Sequence, residues 1–154
     1  MIIQLSPIRI MKDALTVWQE PGPEVDIMMD VKNLTFRPDS LDVIYSFHVL
    51  DHLFENEAQA ALNNWRNCLK PKGELYLVVD DFEFVTRGYV GGDFSLKEFN
   101  RKFSHPSNYN KDILVEYLAR AGFKEDLMRI WFVDVPNLFK KEEYELVVSA
   151  QKHA

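Results

Sequence analysis

The run from Leu41 to Asp81, LDVIYSFHVLDHLFENEAQAALNNWRNCLKPKGELYLVVDD, constrains this chain more than any other stretch. It opens on Leu41, Val43, Ile44 and Tyr45 and closes on Leu75 to Val79. Both runs are rich in β-branched and aromatic residues and read as strands. Between them Ala58, Leu62, Trp65 and Leu69 recur at steps of four, three and four, one apolar stripe of a helix, with Asn63, Asn64, Arg66 and Asn67 on the other faces. Strand, helix and strand in so short a run make a parallel crossover unit. The Lys70-Pro71-Lys72-Gly73 run is expected to stop the helix, glycine supplying the unusual backbone angles of the turn. Ligands of open α/β sheets sit at the carboxyl ends of the strands. Those ends are Ser46-Phe47-His48 and Asp80-Asp81.

The flanking sequence extends the same plan. Residues 1–5, Ala14–Trp18 and Val25–Met29 are short apolar runs separated by Ser6-Pro7 and Pro21-Gly22-Pro23, and they read as three further strands. Asp30 then falls at a strand end, ahead of a loop from Lys32 to Ser40 that carries Leu34 and Phe36. Phe82 to Asn110, with Gly88, Gly91-Gly92 and His105-Pro106, reads as an aromatic cover followed by a polar loop. Lys111 to Gly122 has helical periodicity. Leu127–Val135 and Tyr144–Ala150, joined by Pro-Asn-Leu-Phe-Lys-Lys-Glu, alternate as a final antiparallel pair.

With 154 residues the chain is expected to be one domain, 1–154. Its formal charge of −6 is spread over interspersed acidic and basic residues, which argues against a nucleic-acid surface. No apolar run is long enough for a membrane span and no leader precedes the first strand, so the expected location is the cytoplasm. The one cysteine, Cys68, lies on the Trp65 helix and reads as a small packed residue.

Taken together these segments resemble the class I S-adenosylmethionine-dependent methyltransferases, of the methyltransferase type 11 kind, in a compact variant. Residues 24–54 are similar to the family's strand-end acidic residue, "LPFPDNSFD" loop and "SxHVLEH" junction. Trp65 to Asp81 is similar to its "LKPGG" turn and next strand, and Leu114 to Phe123 to its "LLxxAGF" helix. The resemblance implies an α/β, Rossmann-like fold: a mostly parallel twisted sheet ending in an antiparallel strand pair. It also implies that adenine would lie against Asp30 and Val31 and the methionine portion near Ser46 and Phe47. His48, Asp51, His52 and Asp81 would border the substrate.

The resemblance breaks where that family grips its cofactor. Its glycine-rich turn after the first strand is replaced by Ser6, Pro7 and Ile8, and Gly22 is the first glycine of the chain. Glycine serves there because backbone must approach the ligand closely. Proline removes a donor and isoleucine adds a branched side chain. Trp18 stands at the second strand's ribose-binding acidic position and cannot accept a hydroxyl's hydrogen bond. The expectation is therefore a methyltransferase-like protein with a degenerate cofactor site, without bound cofactor, acting as a binding or partner subunit. The alternative is an active S-adenosylmethionine-dependent enzyme on a small-molecule acceptor, with His48, His52 and Asp81 as catalytic candidates. No metal is expected: His48 and His52 stand one helical turn apart, but no third ligand is evident. His52 is either a hydrogen-bonded helix residue or a proton acceptor. Of Asp80 and Asp81 only one can face the site, and the family pattern selects Asp81. A protein partner or second copy is expected to dock on Phe82 to Phe103.

Overall fold

The computed structural model describes residues 1–102, 105–132 and 145–154. Seven strands form one sheet: β1 (Ile2–Leu5), β2 (Leu15–Trp18), β3 (Ile27–Met28), β4 (Leu41–Phe47), β5 (Leu69–Asp80), β6 (Met128–Phe132) and β7 (Glu145–Gln151). Their order is β3-β2-β1-β4-β5-β7-β6. The first five run parallel to one another, and β7 runs against both β5 and β6. The helices are α1 (Glu55–Cys68), α2 (Phe82–Gly91), α3 (Leu96–Lys102) and α4 (Lys111–Arg120). Among the described residues no helix is long and apolar enough to cross a membrane.

Alternation along the strands sorts their side chains onto two faces. Ile3, Leu5, Ile44, Leu75, Leu77, Val79, Leu146 and Val148 share one buried cluster with Ala58, Leu62 and Trp65 of α1 and Leu114 and Leu118 of α4. The opposite face holds a smaller cluster, Phe47, Val78 and Val147, packed by Tyr45, Trp131, Ile10 and Met11, with no helical residue in it. Among the described residues, cover on that face comes from the loop between β1 and β2, which is too short to contain a crossover helix. Trp65 is fully buried and donates its Nε1–H to the Val31 carbonyl at 2.8 Å, pinning the chain after β3 onto α1. Cys68 is buried, as its place on the helix implies.

The Lys70–Gly73 segment is not the turn expected from sequence. The carbonyls of Asn67 and Cys68 accept from Asp39 and Ser40 N–H, and the chain enters β5 at Leu69 without a break. The four residues form an irregularity in β5: Leu69 pairs with Leu41, but Glu74 pairs with Val43. Lys72, not glycine, carries the left-handed backbone, with φ of 67°. Gly73 is needed for room, because a Cβ there would stand 2.9 Å from the Lys70 carbonyl and 3.1 Å from two others. Phe82 onward also departs from expectation, since it folds as two helices with Gly92 in the left-handed position that closes α2. Phe103, the residues 133–135, the 136–142 connection and Tyr144 lie outside the described residues.

Candidate functional site

The parallel strands bring Ser6, Trp18, Asp30, Ser46 and His48 to one end of the sheet, as the sequence predicts for a ligand crevice. The loop after β1, however, has its donors engaged. Ser6 N–H donates to the Val17 carbonyl at 3.3 Å, and Pro7 has none. Ile8 N–H donates to Ser6 Oγ at 3.3 Å, and Arg9 N–H to Glu24 at 3.0 Å. Ile10 and Met11 N–H both donate to Gln4 Oε1, at 3.1 and 2.8 Å. Gln4 is fully buried and its amide nitrogen donates to Thr16 Oγ1, so one side chain stitches the loop to β1 and β2. Arg9 closes the loop from outside with both oxygens of Asp26 at 2.7 Å. The Thr16 N–H donated to Asp26, together with the Arg9 guanidinium, holds that carboxyl below its usual range.

The other cofactor candidates are similarly occupied. Asp30 is exposed and its carboxylate accepts from Lys32 N–H at 2.9 Å. Val31 and Phe47 are buried in the two opposite clusters, and Ser46 is buried as well. Trp18 is half-buried against the main core, whereas Ile8 is 52% exposed at the loop's tip.

The polar cluster at the ends of β4 and β5 is tighter. His48 follows β4 with a left-handed φ of 50°, which turns its ring out of the strand's alternation. Its Nε2 lies 2.8 Å from Glu145 Oε1, and its Nδ1 lies 3.2 Å from Asp51 Oδ2 and 3.5 Å from Asp80 Oδ1. His105 Nε2 approaches Asp80 Oδ2 at 3.5 Å. Burial opposes charge on His48, but its hydrogen bonds to Asp51 and Glu145 outweigh that and raise it to about 10. Burial and the neighbouring Asp51 raise Asp80 to about 6.

Asp80, rather than Asp81, faces this cluster. Alternation puts Asp80 on the same side of β5 as Tyr76 and Val78, opposite Glu145 of β7. Asp81 instead caps α2, accepting from Glu83 N–H at 3.1 Å. Burial raises its carboxyl, partly offset by those backbone donors. His52 is exposed and meets His105 edge-on, ring centroids 4.6 Å apart. Partial desolvation of its ring against the neighbouring chain and the nearby His105 lower it. Glu145 is the site residue that sequence reasoning missed. Sequence carried no signal for it, since the pairing of β7 with β5 that sets Glu145 against Asp80 is a matter of tertiary register.

A cavity of about 300 Å³ opens elsewhere, on the sheet face away from α1 and α4, among Tyr45, Tyr76, Glu74, Arg129 and Trp131. None of the cofactor candidates lines it.

Residues 3–77 match a family model described as "Methyltransferase domain". Among curated proteins no sequence matches the chain. A Thermotoga maritima SAM-dependent methyltransferase, a possible histamine N-methyltransferase, superposes with a TM-score of 0.61 at 19% identity, over 90% of this chain and 72% of that one. A complex of the Haloferax volcanii Trm112 methyltransferase activator with a methyltransferase gives 0.60 at 16% identity, over 91% and 73%. An Archaeoglobus fulgidus SAM-dependent methyltransferase gives 0.63 at 11% identity, over 90% and 76%. These likenesses are likenesses of fold.

Proposed function

We propose that this chain, which has the class I methyltransferase fold and matches the methyltransferase-domain family over residues 3–77, is a non-catalytic binding or partner subunit with a degenerate cofactor site. The observation that carries this reading is the loop after β1, where each N–H from Ser6 to Met11 already has an acceptor inside the protein. A sulfonium cofactor's amino-acid end needs free donors and close backbone approach there. The residues present do not fit it. Trp18 at the ribose position points the same way, since it offers no acceptor. Fold alone confers no activity, so the likenesses do not outweigh this loss.

Partner binding is the role that remains for such a domain. α2 and α3 expose the apolar side chains of Phe84, Val90 and Leu96, at 41, 80 and 57%, which a protein partner or second copy would cover. The Haloferax relative, solved with an activator protein, is a precedent for a protein partner on this fold. The rival reading, an active methyltransferase on a small-molecule acceptor, draws on the His48–Asp80 cluster at the strand ends, which could take a proton from an acceptor. Titration calorimetry with S-adenosylmethionine and S-adenosylhomocysteine separates the two. The subunit reading expects no heat of binding up to about millimolar ligand; a one-to-one isotherm in the micromolar range would overturn the degenerate site and favour the enzyme.

A further inference from the structure

The polar cluster poses an electrostatic problem that its own side chains resolve incompletely. Asp80 and Glu145 oppose each other directly across β5 and β7, and like charges in that position repel. Asp51, whose side chain is 2% exposed, adds a third carboxylate. A carboxylate of this kind can only accept, so Glu145 at 2.8 Å assigns the Nε2 proton of His48. His48 Nδ1 then faces Asp51 Oδ2 at 3.2 Å and Asp80 Oδ1 at 3.5 Å, two more electron-rich atoms, and one ligand atom from each of the three residues lies within 4.8 Å of the others. Something positive belongs between them.

A proton on Nδ1 is one solution, but it can point along only one of the two directions. The hydrogen bond to Asp51 favours that proton, but the distances make it a long one. Charge-assisted N–H···O bonds run at about 2.7–2.9 Å. The contacts here are 3.2 and 3.5 Å. Atoms bonded at about 2.0–2.2 Å to one ion in a tetrahedral site stand about 3.3–3.6 Å apart. The arrangement around His48 also has the form of a ligating histidine, one ring nitrogen aimed at the ion and the other N–H donated to a carboxylate that fixes the tautomer. His105 Nε2, on the far oxygen of Asp80, stands ready as a further donor.

We infer that His48 Nδ1, Asp51 Oδ2 and Asp80 Oδ1 form a binding site for a divalent transition-metal ion, oriented by Glu145 and open on the His105 side. One imidazole with two carboxylates is a mixed nitrogen and oxygen donor set, which favours Zn²⁺ or Co²⁺ over Mg²⁺ or Ca²⁺. The site draws ligands from the end of β4, the short 3-10 turn Leu50–His52 and the end of β5. It differs from the His48–His52 pair that sequence spacing suggests, because His52 meets His105 edge-on and is not one of the three clustered residues.

The test uses the full chain after chelator treatment, titrated with Zn²⁺ by calorimetry and with Co²⁺ by visible absorption. One equivalent should bind, with the absorption bands of a four- or five-coordinate nitrogen and oxygen site. Asp80→Asn, which keeps shape while removing the charged ligand, should weaken binding at least about tenfold, and Glu145→Gln about tenfold or more. His153→Gln, remote from the cluster, should leave binding unchanged. Absence of stoichiometric binding by the folded wild type, the case of a proton alone, overturns the inference. Binding that survives Asp80→Asn but is lost in His153→Gln overturns it equally. Neither result depends on whether S-adenosylmethionine binds.

Discussion

Gln4 shows how a single buried amide can decide what a loop is able to bind. Its oxygen takes two backbone donors and its nitrogen satisfies Thr16, all in the space under the loop after β1. Gln4→Leu leaves those groups unpaired and should cost about 2–3 kcal/mol in urea unfolding; a loss under about 0.5 kcal/mol would contradict the stitch. Asp26 makes a pH-dependent second fastening. Its carboxyl is held below the usual value by Thr16 N–H and Arg9, so its contribution to stability is present above the unfolded carboxylate's pKa and fades as pH falls through and below that range. Asp26→Asn should flatten the acid limb of the stability profile while leaving its neutral-to-alkaline shape unchanged. An unchanged acid slope would count against the fastening. At this scale the sequence was only partly legible. That one of Asp80 and Asp81 must face the site follows from strand alternation, but which one depends on the pleat of β5 and on the donors at the start of α2. His48 was visible as a strand-end residue. Its left-handed backbone, which brings the ring to Glu145, was not.

Among the elements, β4, α1 and β5 were readable because each carries an unbroken periodicity of its own type. The Lys70–Gly73 segment misled because proline and glycine after a helix usually mark a turn. Here the same residues make a bulge between two paired strands, where glycine is needed for its small size. Phe82 to Lys102 misled for the opposite reason, as its glycines and scattered aromatics hide two short helices. The loop after β1 was legible in what it lacks and not in what replaces it. Missing glycines are a matter of sequence; the Gln4 and Glu24 acceptors belong to tertiary structure. It follows that restoring the consensus residues alone is insufficient. Ser6→Gly, Pro7→Cys, Ile8→Gly with Trp18→Asp should remain unable to bind S-adenosylhomocysteine in thermal-shift titration, because the following amides stay engaged. A saturable rise in melting temperature would show the loss to be confined to those four positions.

For the whole molecule, the mostly parallel sheet and its closing antiparallel strand pair are those the family resemblance implied. A parallel sheet needs cover on both faces, and here α1 and α4 serve one while a stitched loop serves part of the other. This distribution could not be read from composition, since it depends on how short the first two crossovers are. If α2 and α3 are the partner surface, and the partner is a second copy, sedimentation should show association that Val90→Lys with Leu96→Lys abolishes without loss of stability. An interface of that kind should cover at least about 1,000 Å² in total. A wild-type monomer at about 100 μM, a concentration well above that needed for a micromolar dimer, would leave only a separate protein as partner.

The most direct test of the account follows the amides themselves. In amide NMR spectra of the full chain, addition of S-adenosylhomocysteine to about millimolar concentration should leave Ser6, Ile8, Arg9, Ile10 and Met11 unmoved, because each of these N–H groups is already bonded within the protein. Saturable shifts of the same five resonances, together with those of Val31 and Phe47, would show that the crevice binds the cofactor and would contradict the reading of this chain as a non-catalytic subunit.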